Sequence, residues 1–219
     1  MAERISLTNV NDEEFNEAVN TAVRYLVAGE VIVVAAEHGY VYLADAFDKD
    51  AVKAIHILRG NQTGTLTQVF IGDKKVLGGI TTVLTSEQNN LLDNFWPGLL
   101  SVTMKSQPTL SWDLGDGRRL GKVNVRIPSR KFLTAVLSKS GPLAVSSVAI
   151  SGKSAVLDLA MMPIYESDVG AIFDEGVLNA GPSSTWVDIS ENVITVVRVG
   201  AISLEQLRAK APSISTVNL

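Results

Sequence analysis

The strongest constraint on the fold lies in residues 11–36, where an amphipathic helix leads directly into a short apolar strand. Asn11 or Asp12 can cap this helix, and Gly29 ends it. The VIVVAA run of residues 31–36 predicts a strand that is buried on both faces, which is typical of the sheet of an α/β protein. The apolar face of the helix is formed by Phe15, Ala18, Val19, Ala22, Val23 and Leu26.

Helices and strands alternate along most of the remaining chain, and an antiparallel hairpin is predicted near its end. This pattern favours a single-domain α/β fold with a mixed β-sheet over a purely parallel sheet. Further helices are predicted after Asp48 as far as Gly60, from Ser86 to Phe95, from Ser129, and at the capping box of residues 203–206. Further strands are predicted at residues 66–71, 100–105, 122–127 and 143–148, with the hairpin at 185–189 and 193–198.

The segments outside these elements set the predicted domain limits. Residues 106–121 are polar and rich in turn residues, so we expect a surface excursion there. There is no repeat and no low-complexity linker, and we therefore expect one domain over residues 1–210. Residues 211–219 are predicted to form a frayed C-terminal tail.

Composition excludes several classes of site. The chain has no cysteine and two histidines, His38 and His56, which excludes disulfides and thiolate chemistry and disfavours a multi-histidine metal site. The formal net charge of −4 offers no general attraction for nucleic acid. The longest apolar run, residues 31–36, is far shorter than the roughly 20 residues of a membrane span. With no signal peptide in the N-terminal sequence, we expect a cytoplasmic protein with no membrane partner.

The common nucleotide-binding and hydrolase motifs are absent from the sequence. It has no G-x-x-x-x-G-K-[ST] loop, no G-x-G-x-x-G after a predicted strand, and no G-x-S-x-G turn. Periodicity and composition alone therefore indicate an α/β domain without a function.

Seven short segments, taken in order, carry the interpretation further. Together they resemble the motifs of the YrdC-like threonylcarbamoyl-adenylate synthase family and cover roughly residues 12–210. Residues 35–46 resemble P-T-E-T-V-Y-G-L-G-A-D-A, 51–61 a helix ending in K-G-R, 95–101 F-W-P-G-P-L-T, 125–128 V-R-x-P, 146–152 P-S-A-N-x-S-G, 184–188 S-T-V-V-D, and 198–202 R-P-G-A-I.

The resemblance implies a fold, a reaction and partners. The fold would be a twisted mixed β-sheet flanked by helices around a concave, positively charged cavity. The reaction would be a nucleotidyltransferase-type synthesis of L-threonylcarbamoyl-adenylate from L-threonine, bicarbonate and ATP, with Mg²⁺ accompanying the ATP. The product would serve the N6-threonylcarbamoyladenosine modification at position 37 of tRNA, and the family link to double-stranded RNA makes tRNA or double-stranded RNA a further expected partner.

The resemblance also implies which residues bind the substrates. We expect the guanidinium groups of Arg59, Arg126 and Arg198 to converge on one anion-binding hollow, because adenylation requires charge neutralisation and positioning above all. The implied ATP-binding residues are Arg59, Asn61, Thr65, Ser101, Ser147 and Arg198, and the implied threonine-binding residues are His38, Arg126 and Ser184.

Each of these assignments has a structural alternative. Arg126 is also compatible with a surface strand position and His38 with a structural histidine. Ser147 and Ser184 are compatible with strand-end hydroxyls that bind local backbone.

Departures from the family motifs leave activity open. Arg59 replaces a lysine, Asn61 replaces the second basic residue of K-G-R, and Ala149 replaces the asparagine of S-A-N. Each lost charged contact costs about 1.5–3 kcal/mol, and His38 or Lys153 would have to compensate. The alternative to an active synthase is a degenerate paralogue that binds a nucleotide, an amino acid or double-stranded RNA without turnover.

Overall fold

The computed structural model describes residues 2–119, 121–191 and 193–216, and eleven strands in this part form one mixed sheet in the order β1-β8-β2-β3-β7-β4-β6-β5-β9-β10-β11. The strands are β1 (Glu3–Ser6), β2 (Ile32–Ala36), β3 (Gly39–Asp45), β4 (Gln68–Phe70), β5 (Leu100–Lys105), β6 (Lys122–Arg126), β7 (Leu143–Ser147), β8 (Ala171–Asp174), β9 (Thr185–Asp188), β10 (Thr195–Arg198) and β11 (Ser215–Thr216). The helices are α1 (Asp12–Val27), α2 (Lys49–Arg59), α3 (Leu77–Ile80), α4 (Ser86–Phe95), α5 (Lys131–Ser140) and α6 (Leu204–Arg208).

The two faces of this sheet are covered unequally. On the first face, Ile55 of α2, Leu91 of α4 and Leu207 of α6 pack against strand residues such as Tyr42 and Val125. This face carries the larger of the two apolar cores.

No helix among the described residues is long and apolar enough to cross a bilayer.

The second face is covered by α1 and α5 over only part of its width. Ala22 of α1 and Phe132 of α5 pack on β8, β2, β3 and β7, for example against Val34 and Phe173. This apolar cluster extends as far as Phe70 on β4. Beyond it, the second face of the sheet is polar.

Strand register identifies the polar part of the second face. Gln68 on β4 pairs with Asn124 on β6, and Asn124 pairs with Thr103 on β5. Ser101, two residues from Thr103, pairs with Trp186 on β9. Because in-register neighbours project from the same face of a sheet, these five side chains form one continuous surface, which is polar except at Trp186.

Most predicted elements are confirmed, because their signals are local. The Asn11 side chain accepts hydrogen bonds from the backbone of Glu13 and Glu14 at the start of α1. Asp48 caps α2, and Gly60 ends it in the left-handed conformation with φ of 66°. The helix predicted from Ser86 to Phe95 is α4, and its N-cap is Thr85, not Ser86. The hairpin of β9 and β10 is antiparallel as predicted, although its residue 192 lies outside the described part.

Four strands escaped prediction: β1, β3, β8 and the two-residue β11. β1 and β8 have four residues each and pair with one another in parallel, so their stability depends on a contact between distant segments. β3 forms a hairpin with β2 across Glu37 and His38. Its tyrosines are fully buried, and its tyrosine- and valine-rich sequence is a strand signal that was missed.

Two expectations about irregular segments were wrong. The segment 106–121 is not simply a surface excursion, because Trp112 and Leu114 are buried in the first-face core. Trp112 packs edge-on against Phe47, with ring centroids 5.3 Å apart. Residues 211–216 are not frayed, since Ala211 and Ile214 are buried and β11 pairs with β10. Residues 217–219 lie outside the described part, and the division of the chain at residue 210 stays a prediction.

Thr185, at the start of β9, fixes the loop that follows β10. Its hydroxyl donates to the Ile202 carbonyl at 2.8 Å and accepts from the N–H groups of Gly200 and Ile202, both at 2.9 Å. The side chain is fully buried. We expect Thr185→Val to keep the shape but leave these three backbone groups without a partner, which lowers the free energy of unfolding by about 3 kcal/mol.

Urea denaturation followed by circular dichroism measures this loss. The matched control is Thr195→Val on β10, whose hydroxyl makes a 3.3 Å contact with Ser215 and is half-buried, and we expect a change below about 1 kcal/mol there. Equal midpoints for Thr185→Val and wild type would contradict this role of Thr185.

Candidate functional site

The polar part of the second face is the floor of a cavity of about 790 Å³, within the range usual for small-molecule sites. Arg59, Lys122 and Arg198 line it together with one carboxylate, Asp188, so its charged lining is net positive. The other lining residues are Asn61, Thr65, Leu66, Thr67, Gln68, Ser101, Thr103, Asn124, Val145, Ser146, Ser147, Ser151, Ser184 and Trp186.

Hydrogen bonds between strands fix the orientation of the floor. Gln68 donates to the hydroxyl of Ser101 at 2.8 Å, and Ser101 in turn donates to the hydroxyl of Ser184 at 2.9 Å. Asn124 donates to the hydroxyl of Thr103 at 3.0 Å. These side chains are partly or fully withdrawn from water, and the network gives each a partner before any ligand arrives.

Arg198 is at the exposed edge of the cavity. Its guanidinium donates to the Ser184 carbonyl at 2.9 Å and contacts the Ser184 hydroxyl at 3.3 Å. These bonds hold one side of the planar group and leave its other N–H groups directed away from Ser184. A guanidinium held in this way can bind an anion while keeping its position.

Arg59 lies at the end of α2 and is tied to the backbone after β7. Its Nη1 donates to the carbonyls of Ser147 at 3.0 Å and Ala149 at 2.9 Å. Burial lowers the pKa of this guanidinium, but the group remains charged at neutral pH because an arginine titrates far above it. Arg59 therefore supplies positive charge to the cavity and also stabilises the turn at residues 147–149.

Lys122 is a cationic lining residue that sequence reasoning missed. Its ammonium group pairs with the Asp188 carboxylate at 3.3 Å, and both side chains are about one-third exposed. Such a partly exposed pair contributes little to stability, so an incoming anion can replace Asp188 at small cost. The signal was available: the alternating strand of residues 122–127 places Lys122 on the same face as Asn124.

Arg126 does not line the cavity, although it projects from the same sheet face two residues beyond Asn124. Its side chain is buried and forms an ion pair with Glu37, and its Nε donates to the Gly98 carbonyl at 2.8 Å. Burial alone would raise the pKa of Glu37, but the Arg126 charge and a hydrogen bond from Ser129 together hold that pKa below its usual value.

The expected convergence of three guanidinium groups therefore holds for Arg59 and Arg198 but is wrong for Arg126 in this structure. The reason is that the Arg126 guanidinium forms an ion pair with the Glu37 carboxylate.

His38 is also outside the cavity lining: it lies in the turn between β2 and β3, with Nδ1 3.2 Å from the carbonyl oxygen of Asn179. The threonine-binding roles of Arg126 and His38 stay predictions.

The remaining predicted residues line the cavity and also have local partners. Asn61 Nδ2 lies 3.0 Å from Nδ1 of His56, whose Nε2 is 3.0 Å from the Leu114 carbonyl oxygen. The Thr65 hydroxyl donates to the Gln62 carbonyl at 2.7 Å. The Ser147 hydroxyl accepts from the Ala149 N–H at 3.2 Å. The six residues expected to bind ATP, together with Ser184, thus surround one cavity.

Lys153 is not among the cavity-lining residues. It lies exposed in the turn after β7. Of the residues considered as replacements for the missing basic side chain at position 61, the structure therefore brings neither His38 nor Lys153 into the cavity, and it brings Lys122 there instead.

Comparison with known proteins agrees with this fold. A family model named for Sua5, YciO and YrdC, and described as telomere recombination, matches residues 24–200. A Mycobacterium leprae protein assigned as a threonylcarbamoyl-AMP synthase is 32% identical over 191 residues, which is 86% of this chain and 86% of that protein.

Two solved structures share the fold. The structure of P. abyssi Sua5 with L-threonine has a TM-score of 0.85 at 22% identity, and the match covers 99% of this chain but 62% of that one. The structure of E. coli YciO has a TM-score of 0.80 at 22% identity, covering 94% of this chain and 98% of that one. The mixed α/β fold is thereby confirmed, and the chain belongs to the Sua5/YciO/YrdC family.

Proposed function

We propose that this chain synthesises L-threonylcarbamoyl-AMP from L-threonine, bicarbonate and ATP. The observation that carries the proposal is the net positive cavity that gathers Arg59, Arg198 and Ser184 in a chain 32% identical to an assigned threonylcarbamoyl-AMP synthase. In this reaction, L-threonine and bicarbonate form a carbamate with loss of water. A carbamate oxygen then bonds to the α-phosphorus of ATP, and pyrophosphate leaves.

The cations of the cavity support binding of the triphosphate. Arg198 at the edge and Lys122 on the floor can each donate to phosphate oxygens, and Arg59 adds charge from the end of α2. Mg²⁺ would arrive with the triphosphate, which supplies most of its oxygen ligands. The cavity adds a single carboxylate, Asp188, and no cluster of three or more metal-binding side chains occurs in the described residues.

The threonine end of the site is proposed at Ser184. Its hydroxyl oxygen already accepts from Ser101 and Arg198, so its own O–H is left to donate to a carboxylate or hydroxyl oxygen of threonine. For Arg126 to bind the threonine carboxylate, it would have to release Glu37 and bind that carboxylate in its place.

We place the reaction in the cytoplasm, with tRNA as the eventual recipient of the product. Direct binding of tRNA or double-stranded RNA is a separate proposal that the net charge of −4 does not favour.

A second candidate function is nucleotide or amino-acid binding without turnover. It is favoured by Asn61 and Ala149, which replace two polar side chains of the family motifs, and by the two Arg59 hydrogen bonds that are directed to backbone carbonyls. Stabilisation of the fold by ATP or threonine in a thermal-shift assay, without pyrophosphate release at any enzyme concentration, is the result that would select it.

Turnover is tested with purified protein, ATP, Mg²⁺ and bicarbonate, with and without L-threonine. We expect pyrophosphate release that depends on threonine. Arg198→Ala should raise the KM for ATP by about ten- to hundredfold, because one charged contact to phosphate is lost. Arg208→Ala, which removes an exposed arginine of α6, is the matched control and should leave the KM within about twofold. Pyrophosphate release at the same rate with and without L-threonine would contradict the proposal.

The missing basic residue at position 61 allows a gain-of-function test. Asn61 lines the cavity, so Asn61→Arg should return a cation there and tighten ATP binding by about tenfold. Asn61→Ala removes the same amide, and its contact with His56, without adding charge, so it serves as the control. Isothermal titration calorimetry measures both affinities. The prediction is wrong if the arginine variant binds ATP no more tightly than the alanine variant.

A further inference from the structure

Trp186 stands out in the cavity because it brings an aromatic ring to an otherwise polar and cationic floor. It lies on β9, in register with Ser101 on β5 and with Arg198 on β10, and all three line the cavity. Among the described residues, it is the one aromatic side chain in that lining. The other two tryptophans, Trp96 and Trp112, are buried and lie outside it.

The indole ring is held in a defined position. Its N–H donates to the hydroxyl of Thr103 at 2.8 Å, and Thr103 is itself fixed by the donor group of Asn124 at 3.0 Å. The tryptophan side chain has one hydrogen-bond donor and no acceptor, so with this bond formed it has no hydrogen-bonding group left for a ligand. What the half-buried ring can still offer a ligand is therefore its apolar π surface.

The surroundings of the ring indicate the kind of ligand that fits. Arg198 is its neighbour across the sheet, and Lys122 lies on the same floor. An aromatic surface beside fixed cations suits a molecule with a planar ring at one end and anionic groups at the other. In the motif S-T-V-V-D, which residues 184–188 resemble, valine stands at the position of Trp186.

We propose that Trp186 is the specificity-determining residue on which the base of the nucleotide stacks. The inference rests on the proposed function in taking a nucleotide as the ligand, and deepens it by assigning the contact that distinguishes a nucleotide from a bare polyphosphate. Stacking on one aromatic ring binds a base without reading its edge, and the ring provides a contact that a bare polyphosphate cannot use.

Isothermal titration calorimetry on the full chain tests this assignment with two probes, MgATP and Mg²⁺-tripolyphosphate. We expect Trp186→Val to weaken MgATP binding by about tenfold or more, in line with the usual strength of a base on an aromatic ring. Binding of tripolyphosphate should stay within about twofold, because the cations are unchanged. Trp186→Phe keeps an aromatic surface and should retain MgATP affinity within about threefold.

Tryptophan fluorescence supplies an independent readout. MgATP should quench the emission of the wild-type protein, tripolyphosphate should not, and the ATP effect should disappear in Trp186→Phe, since Trp96 and Trp112 do not line the cavity. Far-UV circular dichroism verifies that each variant is folded.

Three results would overturn the assignment. These are unchanged MgATP affinity in Trp186→Val, an equal loss for both probes, or a loss of threonine binding in place of ATP binding. Absence of MgATP binding to the wild type would overturn it as well. Threonine-dependent pyrophosphate release by an otherwise unaffected Trp186→Val would remove this inference and leave the proposed function standing.

Discussion

The second sheet face is only partly covered by helices, and the position of the cavity follows from this limit. Helices α1 and α5 bury β8, β2, β3 and β7, and their apolar cluster stops near Phe70. The strands beyond need no apolar side chains on that face, and they carry Gln68, Asn124, Ser101 and Thr103 instead. Withdrawing these polar groups from water has little cost because they bond to one another across the strands. The cavity is therefore a consequence of where the helices end.

The charges of the cavity come from three different kinds of position. Arg59 reaches it from a helix end, Arg198 from the end of β10, and Lys122 from a strand on the floor. The family motif would place a further cation at position 61, where this chain has Asn61 held by His56. Lys122 restores the number of cations but places the charge on the floor, beside Asp188, instead of on the rim loop. If the chain is active, the phosphates must therefore adapt to a different distribution of charge.

Local sequence signals predicted local structure well and long-range contacts poorly. The caps Asn11 and Asp48 and the stop at Gly60 were readable because each acts within one helical turn. Several of the missed features join distant segments, as in the pairing of β1 with β8 and the ion pair of Arg126 with Glu37, whereas the β2–β3 hairpin is local and was missed as well. The ordered motifs placed seven site residues around one cavity, but they could not show that a carboxylate from the β2–β3 turn occupies Arg126. Strand alternation could have revealed Lys122 and Trp186, since both share a face with residues already identified.

We propose that the uncovered half of the second face binds anions through Arg59 and Arg198. The most direct test is an NMR titration that follows the Nε–Hε signals of the arginine side chains while MgATP is added. We predict that the signals of Arg59 and Arg198 shift together and saturate at the same ATP concentration, while that of Arg208 on α6 does not move. Saturable ATP binding that leaves the signals of Arg59 and Arg198 unmoved would contradict the claim.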